Sequence, residues 1–109
     1  MLINFWASWC EPCKVEHEFL QQIAREFKDR LSVLGMVYQD SAEKARHYLE
    51  PRTNQFPQLL DPDSRVAVDY GVSGVPESFF VDQNGQVLHK EAGVVTADLW
   101  QKMRSRFGF

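Results

Sequence analysis

At 109 residues the chain has room for one domain with a modest core and not for two. Its 44% hydrophobic and 25% charged residues are the proportions of a globular protein. A net charge of −3 offers no electrostatic case for nucleic acid or an anionic membrane as partner, and no apolar run is long enough to cross a bilayer.

Residues 2–6, within Met-Leu-Ile-Asn-Phe-Trp, read as a buried strand at the very start of the chain. Domains seldom begin abruptly on a core strand, so upstream sequence is expected to be missing here. From Cys10 to about Lys28 the period is helical, with Leu20, Ile23, Ala24 and Phe27 on the apolar face. Residues 32–38 form a second strand, apolar enough to be buried on both faces. Residues 41–50 look helical and stop before Pro51, because the residue preceding a proline is pushed out of the helical region. An irregular stretch with Pro57 and Pro62 leads to a short helix around Ser64–Tyr70, closed by Gly71. Residues 78–82 and 86–91 are strands joined through Asn84-Gly85, a strong hairpin signal. A last helix spans about Thr96–Arg106, with Thr96 as N-cap, Leu99, Trp100 and Met103 on its apolar side, and Gly108 past its end.

The chain has two cysteines, and they stand in Trp9-Cys10-Glu11-Pro12-Cys13, just after a strand and at the start of a helix. So small a loop constrains the unfolded chain least, so the pair calls for a chemical explanation instead of a stabilising one. Backbone N–H groups at a helix N-terminus favour negative charge and give a cysteine there thiolate character. Pro12 suits the first turn, where its missing N–H costs nothing. Cys10 is then the outer, attacking thiolate and Cys13 the shielded sulfur that resolves the mixed disulfide. A zinc half-site is the rival reading, but it needs two more ligands from His17, His47 and His89, and no second Cys-x-x-Cys or His-x₃₋₅-His pair exists. His17 is expected to pack or cap. Trp6 and Trp100 are expected in the core and Trp9 as an apolar wall beside the nucleophile.

The element order β-α-β-α-(α)-β-β-α, a parallel β-α-β unit followed by a hairpin and a closing helix, is the minimal thioredoxin plan. An α/β fold with a central mixed sheet of about four strands, flanked by helices and lacking an N-terminal extension, is expected as a single domain over 1–109. The run from Asn4 to His17 resembles the active-site segment of extracytoplasmic thioredoxin-like proteins of the TlpA/ResA/CcmG (DsbE) group. The run Asp69–Asp82, with Gly85 and Gly93 after it, resembles the CcmG branch in particular. The resemblance covers nearly the whole chain, in order.

That resemblance implies a reductant of protein disulfides in cytochrome c maturation, facing the periplasm and tethered by an N-terminal segment outside this chain. It implies an apocytochrome c or a maturation accessory protein as substrate and a membrane thiol reductase as electron donor; a monomer is expected. The cysteines need no cofactor. A general thioredoxin-like reductase or oxidase is the second reading, and a non-catalytic or zinc-binding module of thioredoxin shape the third.

Two carboxylates stand out beside the cysteines. Glu16 falls within the apolar stripe of the first helix, with Cys13 one turn earlier, so a partly buried charge near the dithiol is expected. The alternative is a first-turns glutamate that merely suits the helix dipole. Burial would raise its pKa, and its charge would disfavour a nearby thiolate and make the disulfide harder to reduce. The matching glutamate of the resembling family has an acid/base role. Asn4 stands where ordinary thioredoxins carry a buried aspartate, which makes such a role more necessary. Glu77 follows Pro76 where the family carries a second acidic residue, and a solvent-facing loop charge is the alternative. By the same resemblance the Val75-Pro76 bond is cis and faces the dithiol, an ordinary trans turn being the alternative. A cis bond frees the Val75 backbone to pair with an extended substrate strand, with Trp9, Gly74 and Glu77 beside it.

Overall fold

The computed structural model describes all residues, 1–109. The elements run β1 (Leu2–Trp6), α1 (Glu11–Glu26), β2 (Val33–Val37), α2 (Ala42–Leu49), β3 (Gln58–Leu60), α3 (Arg65–Tyr70), β4 (Glu77–Val81), β5 (Val87–Ala92) and α4 (Ala97–Phe107). The sheet has five strands in the order β3-β2-β1-β4-β5, not four. The additional strand is β3, three residues pairing parallel to β2 with Met36 opposite Leu59. It follows Pro57 and is too short, and too exposed at Leu59 and Leu60, to leave an alternating pattern in the sequence.

β1 pairs parallel with β2 and antiparallel with β4, and β4 pairs antiparallel with β5. Because β1 and β4 run in opposite directions, the end of β1 and the start of β4 lie at one end of the sheet, with Phe5 opposite Glu77. The loop carrying the cysteines and the loop carrying Pro76 therefore meet there.

Side chains of β1 alternate between the two faces. Leu2 joins Leu20, Ile23 and Phe27 of α1 and its C-terminus, and Trp100 and Met103 of α4, in the larger core. Ile3 and Phe5 join Phe79, Met36 and Ala67 of α3 on the other face. Asn4 has the parity of Leu2, so its amide points toward α1. A third cluster gathers Trp6, Ala7, Cys10, Cys13, Val37 and Ala45, with Val75 and Tyr48 packed against it.

The ends of the helices have identifiable causes. Ser41 and Thr96 cap α2 and α4 by accepting from the N–H groups of Lys44 and Leu99. Ser64 precedes α3 without a side-chain cap, and the buried Asp61 carboxylate takes the N–H groups of Val66 and Ala67 in its place. Gly71 and Gly108 end α3 and α4 in the left-handed region at φ 72° and 86°. The hairpin connection spans 82–86, wider than its Asn-Gly pair, because the Asp82 side chain accepts from the N–H groups of Asn84 and Gln86.

Candidate active site

Cys10 is the N-cap of α1, and its sulfur accepts the N–H of Cys13 at 3.2 Å. The two cysteines are joined in a disulfide with Cα atoms 5.3 Å apart. Both residues are 4% exposed, so residue burial does not separate them. Position does: Cys10 sits ahead of the free N–H groups of the helix, where a thiolate is stabilised, and Cys13 lies within the first turn. No third metal-binding side chain converges on the pair.

The loop from Ala7 to Cys10 is tied to the end of β2. The Ser8 N–H donates to Asp40 Oδ2 at 2.8 Å, and the Trp9 indole N–H to the Gln39 carbonyl at 3.0 Å. Trp9 is 56% exposed, an aromatic surface beside the disulfide. Trp6 is buried, and its indole N–H donates to Gln58 Oε1 from β3.

Glu16 lies one turn beyond Cys13 and is 1% exposed, fully buried where partial burial was expected. Its Oε1 accepts from Asn4 Nδ2 at 2.8 Å and its Oε2 from the Val95 N–H at 2.7 Å. Asn4 uses its second N–H on Ser78 Oγ, directly across the sheet pairing, at 2.9 Å. Burial pushes the Glu16 carboxyl up from its ordinary 4.5 to about 7, against the two hydrogen bonds, from Val95 and Asn4, which pull it down. Asn4, Ser78 and Val95 thus form a neutral cradle for one titratable group. The link from Asn4 to Ser78 follows from strand pairing; Val95, seventy-nine positions from Glu16, leaves no local sign.

The neighbouring His17 packs edge-on against Tyr48 with ring centroids 5.5 Å apart. Burial lowers its pKa. Its Nε2 is buried without a hydrogen-bond partner.

On the other side of the dithiol the Val75-Pro76 bond is cis. Val75 packs on the cysteine cluster, and its own N–H and carbonyl take no partner within the chain. The Pro76 carbonyl accepts the Gly93 N–H at 2.9 Å, which fastens the loop to the end of β5. Glu77 is turned inward and is 4% exposed. Its Oε2 accepts from the N–H groups of Ser73 and Gly74, both at 3.1 Å, and faces the Ser73 hydroxyl at 3.4 Å. Its Oε1 lies 3.1 Å from Lys90 Nζ, an ionic contact off the line of a hydrogen bond. The carboxylate therefore fastens the loop that holds Gly74 and Val75. Lys90 and Ser73 carried no signal in the sequence; their part emerges only from the register of β4 and β5.

A family model described as Redoxin matches residues 1–104. The thiol:disulfide interchange protein HelX of Rhodobacter capsulatus is 38% identical over 102 residues, which cover 93% of this chain and 56% of that protein. The thiol:disulfide interchange protein DsbE of Allochromatium vinosum is 41% identical over 103 residues, 91% of this chain and 54% of that protein. The chain thus spans just over half the length of these relatives. Among solved structures, MTB dsbF in its mixed oxidized and reduced forms superposes with a TM-score of 0.88 at 25% identity, covering 97% of this chain and 78% of that one. The thioredoxin-like architecture and the family match run together through every strand and helix that carries the dithiol, and the chain belongs to the Redoxin family.

Proposed function

We propose that this chain is a thiol–disulfide oxidoreductase domain that reduces disulfides in partner proteins. The observation that carries the reading is the meeting of three features: a dithiol at a helix N-terminus, a buried glutamate one turn on, and a cis-proline loop with an unpaired backbone. The names of its relatives, thiol:disulfide interchange proteins, support the same chemistry.

In the reduced protein the Cys10 thiolate attacks one sulfur of a substrate disulfide. A mixed disulfide forms, and the first substrate thiolate leaves and takes up a proton. Cys13 loses its proton and attacks the Cys10 sulfur, releasing the second substrate thiolate and leaving the Cys10–Cys13 disulfide. Two electrons pass to the substrate, and a donor dithiol must return them. Glu16, titrating near 7, is suited to take the Cys13 proton during that second attack. When ionised it opposes a thiolate nearby, which favours the oxidised pair and makes the domain a reductant. The substrate strand pairs with the open N–H and carbonyl of Val75, while Trp9 covers the flank.

The resemblance of Asp69–Asp82 to the CcmG branch supports a place in cytochrome c maturation, with an apocytochrome c or an accessory protein as substrate. It likewise supports a periplasmic setting, a membrane thiol reductase as donor and an N-terminal tether in the full-length protein. No helix here is long and apolar enough to cross a membrane.

The test is the reduction potential of Cys10–Cys13, titrated against a dithiol buffer by tryptophan fluorescence. A value of roughly −220 to −270 mV, the range from glutaredoxin to thioredoxin, is expected of a reductant. A value near about −120 to −180 mV, that of the known oxidant and isomerase, would overturn the direction of transfer. Cys10→Ser should abolish turnover of an insulin disulfide, and retained turnover would overturn the oxidoreductase reading altogether.

A further inference from the structure

The loop between α3 and β4 is contacted at both of its ends by one ammonium group on β5. Lys90 stands opposite Phe79 in the β4–β5 register, two pairs along from Glu77 opposite Ala92, so Lys90 and Glu77 share a face of the sheet. Its Nζ donates to the Gly71 carbonyl at 3.1 Å, lies 3.1 Å from Glu77 Oε1, and sits 5.5 Å from the centre of the Phe79 ring. Gly71 begins the loop and Glu77 ends it. A single cation therefore spans the segment that contains Ser73, Gly74, Val75 and the cis Pro76.

The chemistry of Glu77 makes that contact consequential. A buried carboxylate with one oxygen lacking any partner is costly. Oε2 is well supplied by the Ser73 and Gly74 N–H groups, but Lys90 is the only polar group on Oε1. An ordinary surface ion pair contributes little because water screens it. Here the Glu77 side chain is 5% exposed and the Lys90 side chain 41%, so one partner is largely out of water. Without the ammonium, Oε1 must turn toward solvent, and the same rotation pulls Oε2 off the two loop amides.

Resting on the oxidoreductase reading above, we propose that Lys90 is a positioning residue for substrate: through Glu77 and Gly71 it holds the backbone of Gly74 and Val75 in the conformation that pairs with the extended strand of a protein disulfide. It does not touch the sulfurs. Its loss should therefore weaken capture of an extended polypeptide while leaving the thiol chemistry alone.

Two variants of the full chain, Lys90→Met and Lys90→Arg, test this. Methionine keeps the side chain's length and apolar packing, and arginine keeps the charge. In stopped-flow single turnover, the reduced protein is mixed with excess of an extended peptide containing a disulfide, or with hydroxyethyl disulfide, which has no backbone to pair. For Lys90→Met the half-saturating peptide concentration should rise about tenfold, the size expected for one lost charge-assisted contact. The limiting rate and the hydroxyethyl disulfide rate should stay within about twofold, and Lys90→Arg should restore peptide capture. Amide exchange by NMR should show Ser73 and Gly74 about tenfold faster in Lys90→Met and protected again in Lys90→Arg.

Unchanged exchange at both amides, or unchanged half-saturation, overturns the assignment. So does a fall in the hydroxyethyl disulfide rate that keeps step with the peptide. A wild type that reacts with neither disulfide overturns the oxidoreductase reading, and the substrate role of Lys90 with it.

Discussion

Two buried glutamates stand on either side of the dithiol, and they are held in different ways. Glu16 has two neutral donors, the Asn4 amide and the Val95 N–H, and no cation in contact. Glu77 has two loop N–H groups, a hydroxyl and the Lys90 ammonium. The first arrangement leaves burial dominant, and the carboxyl titrates near neutrality, where proton transfer is useful. The second ties a carboxylate into a network whose product is the shape of a loop. Burial alone does not assign a role to a charged side chain; the charge and direction of its partners do.

The largest effect that sharpens this contrast is expected at the anchor. Glu77→Ala leaves the Ser73 and Gly74 amides without their acceptor and Lys90 without its counter-ion. Urea unfolding should show a loss of about 3 kcal/mol, the low end for breaking a buried charged pair. A loss below about 1 kcal/mol would mean that the loop keeps its form without the carboxylate, and the contrast would collapse.

Next comes the pH dependence of Glu16. Its folded pKa lies above its unfolded one, so between 4.5 and about 7 the folded state holds more proton than the unfolded state. Stability from this group is complete below the lower value and is lost as pH rises through the upper one. The upper bound of the loss is about 3 kcal/mol. Urea midpoints measured across that window should fall for the wild type relative to Glu16→Gln. Parallel curves for the two proteins would show that Glu16 does not titrate as its cradle implies.

The smallest change belongs to the cradle itself. Asn4→Ala removes one of the two hydrogen bonds that favour the ionised carboxylate, so the Glu16 titration should move further up. Carbon-13 NMR of the Glu16 carboxyl reads that direction. The cost in stability should be about 1–2 kcal/mol, since Ser78 also loses its donor. A downward move would assign the raised titration to something other than burial.

Much of this site was legible in the chain because it is local. Cys10, Pro12, Cys13 and Glu16 lie within two turns of one helix, and helical period alone puts Cys13 and Glu16 on one stripe. The depth of Glu16 was underestimated, because a stripe shows which way a side chain points and not what closes over it. Here the closing groups are Asn4 on β1 and Val95 before α4. For Glu77 the sequence offered a position next to a proline and nothing about direction. Its inward turn brings it to the Ser73 and Gly74 amides and to Lys90, thirteen residues away on another strand. Residue burial does not distinguish Cys10 from Cys13, and what differs between them is position relative to the helix end.

By itself the sequence determined the order of every element but β3, the helix caps at Thr96 and Gly108, the hairpin signal at Gly85 and the dithiol at the start of α1. Those follow from interactions between residues close along the chain, whose geometry a local pattern already contains. Tertiary structure alone decided the fifth strand, the cradle around Glu16, the inward turn of Glu77 and the meeting of the two loops at one end of the sheet. Each of these depends on strand register and on which faces pack together, and such contacts join residues whose separation in sequence carries no periodic trace.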